Sequence, residues 1–116
     1  MKKKREYQDY LNDIIIAIED AINFTKIMTY DDFQNDKKTV LAIEKCIEII
    51  GEATKNIPNS IRGKYPEIPW KDMAGMRDRL SHVYHDVDIE LVWEVIQQEL
   101  PQLKITISKI IAELKD

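Results

Sequence analysis

Between Tyr7 and Met28, apolar side chains recur at Tyr7, Tyr10, Leu11, Ile14, Ile15, Ile18, Ala21, Ile22 and Thr25, the three-and-four spacing of one helix face. The isoleucines alone would favour strand, but a helical period sustained over so many turns outranks residue propensity, and the pattern predicts a long first helix. Thr29-Tyr30-Asp31-Asp32 offers a break with N-cap residues. A second stripe then runs through Thr39, Val40, Ala42, Ile43, Cys46, Ile47, Ile50, Ala53, Thr54 and Ile57, with the helix ending near Asn56.

Pro58, Gly63, Pro66 and Pro69 punctuate a connection over 58–70, with room for one helical turn near Ser60 to Lys64. Pro69-Trp70-Lys71-Asp72 reads as a helix start, and the pattern predicts a third helix from about Trp70 to Tyr84. A fourth, capped by Asp86 or Asp88, carries Ile89, Val92, Trp93, Ile96 and Leu100 and continues through Leu103, Ile107, Ile110, Ile111 and Leu114. Pro101 must kink or restart it, because proline removes a backbone donor inside the pattern. The expectation is an all-α bundle of four to five helices in one domain over residues 1–116, with no internal repeat.

Composition agrees. Few glycines and prolines beside 44% hydrophobic and 33% charged residues suit amphipathic helices and disfavour an all-β fold rich in turns. The single cysteine, Cys46, excludes an internal disulfide, suits a reducing compartment and reads as a small buried hydrophobe. The longest aliphatic run, Ile14 to Ile18, is far short of a membrane span, and Asp9, Asn12 and Asp13 interrupt any signal-like stretch, so the chain reads as soluble and cytoplasmic. A net charge of −4 excludes a general nucleic-acid coat. Any such affinity must come from a local patch, and Arg62 to Arg79 supplies five basic against three acidic side chains.

The third helix carries the unusual chemistry. At about 100° per residue, Met73, Met76, Leu80, Val83 and Val87 share a narrow apolar arc, while Arg77, Tyr84, Ser81, His85, Asp78 and His82 share the adjoining face. Asp78 and His82, four apart, are spaced for a carboxylate to orient an imidazole. Arg77 and His82 point about 140° apart, so one helix cannot easily aim both at one atom; a second copy would have to complete the site, or a substrate lie across the face. An imidazole exchanges protons near neutral pH and a guanidinium holds phosphate, a pair sufficient for RNA cleavage by its own 2′-hydroxyl without a metal. The spacing alone is equally that of a solvated face. His82, His85, Asp86 and Asp88 invite a metal reading that lacks a further ligand of recognisable spacing. Ser81 lacks the strand–turn–helix elbow of a hydrolase nucleophile, and Trp70 and Trp93 read as packing residues.

Arg77-Asp78-Arg79-Leu80-Ser81-His82 resembles the arginine, polar residue, then histidine signature of the HEPN superfamily. The likeness extends through the segments Tyr7 to Ile14, Phe33 to Asp36, Glu48 to Ala53, Tyr65 to Trp70, and Val92 to Leu103, and is to the HepT-like branch. It implies a HEPN-type bundle that forms a homodimer with signature helices facing across a cleft. It also implies a metal-independent endoribonuclease, acting on tRNA or mRNA as the toxin of a toxin–antitoxin pair, without a cofactor.

By that resemblance Arg77 and His82 are catalytic, with Asp78 and Ser81 supporting them. Asp78 stands where members often have asparagine. Lys71, Arg79 and His85 are candidate RNA contacts. His82-Val83-Tyr84 matches an extension whose tyrosine receives AMP from a nucleotidyltransferase antitoxin, which makes Tyr84 the modification site. The rival expectation is a non-catalytic helical dimer serving as an interaction module for that partner.

Overall fold

Helices α1 (Tyr7–Thr25) and α3 (Lys37–Lys55) lie against each other and bury the two stripes. Leu11, Ile14, Ile18 and Ala21 from α1 meet Ile43, Ile47 and Ile50 from α3 in one apolar core. Each large aliphatic side chain withdrawn from water there contributes about 1.5–3 kcal/mol. The computed structural model describes residues 5–81 and 87–114. Among these, helices supply most of the core, joined by Ile57, Tyr65, Ile68 and Leu80 from the connections, and the one sheet-like feature is an isolated bridge between Ser81 and Val87. None of their helices is long and apolar enough to cross a membrane.

The break after α1 holds a helix of its own, which periodicity could not resolve. Thr29 caps α2 (Tyr30–Gln34) in a reciprocal pair with Asp32, and α2 drives Phe33 into the core against Trp93, ring centroids 5.4 Å apart. The cap of α3 is instead Asp36, whose carboxylate accepts from the Thr39 backbone N–H at 3.1 Å. That bond, and a second from the Thr39 hydroxyl, hold the Asp36 carboxyl below its ordinary value.

The connection that follows contains the expected short helix, α4 (Asn59–Lys64). From it Arg62 reaches back to the carbonyls of Thr54 and Ile57, at 2.7 and 3.0 Å, and satisfies the open end of α3. Trp70 is buried, its indole N–H donating to the Tyr65 carbonyl.

The third helix departs from expectation. It breaks at Gly75 into α5 (Trp70–Ala74) and α6 (Met76–Arg79), and ends at Arg79 rather than Tyr84. The break lies where the chain presses against α3: a Cβ on Gly51 would stand 3.3 Å from the Ala74 carbonyl oxygen and 3.6 Å from that of Met73. Glycine at 51 is what lets these carbonyls approach the α3 backbone. The Asp88 N–H bonds the Leu80 carbonyl at 2.7 Å, and Ser81 is bridged to Val87. Ser81 and Val87 sit in that bridge rather than in a helix, so the wheel fails for these two residues. Met73, Met76 and Leu80 are nonetheless buried as the apolar arc requires.

Asp88 caps α7 (Ile89–Glu94), and a π-helical turn (Val95–Glu99) leads into α8 (Leu100–Leu114). The interruption forced by Pro101 thus falls upstream of it. The Leu100 N–H bonds the Val95 carbonyl five residues back, a wider turn that adapts the helix to a ring lacking a donor. α8 packs its Leu103, Ile107 and Ile110 against α1 and closes the bundle.

Candidate functional site

Arginine side chains in this protein are mostly occupied. Arg5 pairs with Asp13 at 2.6 Å, Arg62 caps α3, and Arg79 reaches Glu99 on the π-helical turn at 3.2 and 3.4 Å. Arg77 differs. It is exposed on α6, with no side-chain hydrogen bond or ion pair among the described residues, and it lines two clefts at once.

The first cleft, about 190 Å³, is bounded by Leu41, Glu44, Lys45, Ile47, Glu48, Arg77 and Val87. The second, about 210 Å³, lies across Glu48 and is bounded by Gly51, Glu52, Lys55, Ala74, Gly75, Arg77 and Asp78. Arg77 is the cation that α6 extends between them. Its backbone is fixed from below: the Ser81 hydroxyl donates to the Arg77 carbonyl at 2.6 Å, filling one of the open acceptors at the helix end. Ser81 therefore supports Arg77 through its backbone.

Asp78 is exposed beside Arg77 and lines the second cleft with Lys55. Lys71 is exposed one turn before the Gly75 break, its carbonyl taken by the Gly75 N–H at 3.1 Å. Arg79 is turned toward Glu99, away from Arg77's clefts, and Arg62 is committed to helix carbonyls, so the basic stretch 62–79 does not act as one patch. His82, Tyr84, His85 and Asp86 lie outside the described residues. No group of three or more His, Cys, Asp or Glu among the described residues is arranged to hold a metal.

The sequence reading did not single out Glu44 and Leu41, which wall the first cleft from α3. Their available signal was the acidic series Glu44, Glu48, Glu52 on the polar side of the second stripe, four residues apart. Cys46 is buried, and that burial, reinforced by the charge of Asp20, raises its thiol to about 11. It is inert packing rather than a nucleophile.

Fold and site define a small all-α bundle that holds between two shallow clefts a guanidinium with no partner among the described residues. The family model described as Ribonuclease HepT-like matches residues 14–110, and the chain belongs to that HepT-like branch of the HEPN superfamily. It is 48% identical over 113 residues to "Putative RNase MJ0125" of Methanocaldococcus jannaschii, covering 97% of each chain. A second protein of that organism, "Putative RNase MJ1216", is 47% identical over 112 residues, 97% of this chain and 93% of its own. The "Probable ribonuclease HepT" of Thermococcus cleftensis is 48% identical over 101 residues, 87% of this chain and 92% of the relative. No solved structure matches the chain.

Proposed function

We propose that this protein is a metal-independent endoribonuclease, the toxin of a toxin–antitoxin pair, cutting RNA at a groove formed by two copies of the chain. The observation that carries the reading is Arg77, which lines two clefts without a partner among the described residues while Arg5, Arg62 and Arg79 are engaged. Family membership and the ribonuclease names of the relatives support the same reaction class.

In this mechanism Arg77 binds the scissile phosphate and offsets the charge that gathers on its oxygens. One His82 takes the proton of the 2′-hydroxyl as its oxygen attacks the adjacent phosphorus. The bond from phosphorus to the 5′-oxygen breaks, and the His82 of the second copy returns a proton to that oxygen. The products are a 2′,3′-cyclic phosphate and a free 5′-hydroxyl. Ser81 holds the Arg77 backbone, and Asp78, next to Arg77 on α6, takes the supporting polar position that the family resemblance implies. Transfer of AMP to Tyr84 by a nucleotidyltransferase antitoxin, the modification the family resemblance implies, would add a bulky anion that competes with RNA for the groove.

Incubating the purified protein with total RNA and with tRNA in EDTA tests the activity, and cleavage is expected. Arg77→Ala should slow it about 10²–10³-fold, the loss typical of one donor to developing charge. His82→Ala should slow it about 10²–10⁴-fold. Both variants should retain the melting temperature and dimer of the parent. Intact RNA after incubation with a folded, dimeric parent protein would refute the reading. For the antitoxin step, intact mass after incubation with the nucleotidyltransferase and ATP should rise by AMP units, and Tyr84→Phe should abolish the gain.

A further inference from the structure

The cleft that Arg77 shares with α3 has a second uncommitted ionic group. Glu44 is half-buried on its wall and has no hydrogen-bond or ion-pair partner among the described residues. The cleft's other two charges, Lys45 and Glu48, lie 3.7 Å apart and offset each other. A half-buried glutamate and an exposed arginine, neither paired among the described residues, thus line one small space. Apolar walls complete it: Leu41, 53% exposed, with Ile47 and Val87. At about 190 Å³ the space suits one flat ring system rather than a stack of bases.

We propose that this cleft is a guanine subsite, which selects where the RNA is cut by holding the base next to the phosphate bound by Arg77. The inference rests on the reading of Arg77 as the phosphate ligand. The choice of base follows from donor pattern. A carboxylate presents two acceptors side by side, and guanine's N1–H and exocyclic amino group are two donors side by side. Adenine and cytosine set their single amino group beside a ring-nitrogen acceptor, which would face the second carboxylate oxygen. Uracil offers one N–H between two carbonyls. Leu41 and Val87 then cover the ring faces, while Arg77 takes the adjoining phosphate.

Two measurements on the full-length protein test this, one of them independent of cleavage. In NMR titrations with the four nucleoside monophosphates, GMP should bind between about fivefold and a hundredfold more tightly than AMP, CMP or UMP, and shift the amides around Glu44 and Arg77. Glu44→Gln presents one acceptor and one donor, and should move the preference from GMP toward AMP. Glu44→Ala should remove preference altogether. In sequencing of the ends produced from a random-sequence RNA, the parent should cut beside guanine, and Glu44→Gln should lose that bias. Equal binding of the four nucleotides by the folded parent, or a preference unchanged in both Glu44 variants, overturns the inference. RNA cut without base bias overturns it as well, while leaving the ribonuclease reading intact. Selective GMP binding by a protein that leaves RNA uncut refutes the ribonuclease reading and supports the subsite.

Discussion

Along the seam between α1 and α3, successive helical turns each contribute a fully buried aliphatic side chain, from Leu11 and Ile14 to Ile43 and Ile50. α6 contributes one buried side chain, Met76, from its four residues and leaves Arg77, Asp78 and Arg79 in solvent. The seam is held by many interchangeable apolar contacts. The α6 end is held by a few particular ones: the carbonyls of Met73 and Ala74 close against Gly51, the Ser81 hydroxyl on the Arg77 carbonyl, and the Asp88 N–H on that of Leu80. The core seam and the candidate site are therefore held by separable sets of residues.

The largest expected effect tests the seam. Ile50 is fully buried between the long helices, and Ile50→Ala should cost about 2–5 kcal/mol of unfolding free energy, measured by urea denaturation. The comparison breaks if this variant unfolds like the parent yet loses RNA cleavage, because the seam would then act on the site directly.

These two regions also differed in how well the sequence displayed them. Both long helices were legible because their partners are each other's stripes and three-and-four spacing records that burial directly. Arg77 was legible as a chemically unusual position among Met73 and Met76. The end of its helix was not, since Leu80, Val83 and Val87 continue the helical period. What stops the helix is a tertiary choice: the Leu80 carbonyl takes the N–H of Asp88, eight residues on. The pairing of Arg79 with Glu99 spans twenty residues and leaves no local trace. Glu44 escaped notice because it reaches the Arg77 cleft from a different helix.

An intermediate effect is expected at the joint between the regions. A valine at Gly51 would drive its branched side chain into the Ala74 and Met73 carbonyls, and Gly51→Val should cost about 1–3 kcal/mol. It should also displace α5 and α6, so cleavage at a temperature where the variant is fully folded should fall as well. Gly63, in α4, has no atom within 4 Å of an added Cβ. Gly63→Ala should therefore stabilise by about 0.4–1 kcal/mol without altering cleavage. Equal behaviour of the two variants would mean that the close approach at Gly51 does not position the site.

The smallest effect concerns Arg79, which shares α6 with Arg77 and has the opposite surroundings. Its ion pair with Glu99 joins side chains 35% and 44% exposed, so solvent screens it, and Arg79→Ala should change stability by no more than about 1 kcal/mol. If α6 is positioned by its backbone contacts, the variant should also cleave within about twofold of the parent, far from the loss expected at Arg77. Glu99→Gln separates the two ways this could fail. Should Arg79 serve as an RNA contact held in reserve, releasing it from Glu99 would speed cleavage while Arg79→Ala slowed it. Should the pair instead brace α6 against the π-helical turn, both variants would slow cleavage alike. Near-parental rates from both would locate the chemistry of α6 at Arg77, whose guanidinium, unlike that of Arg79, has no carboxylate to answer it among the described residues.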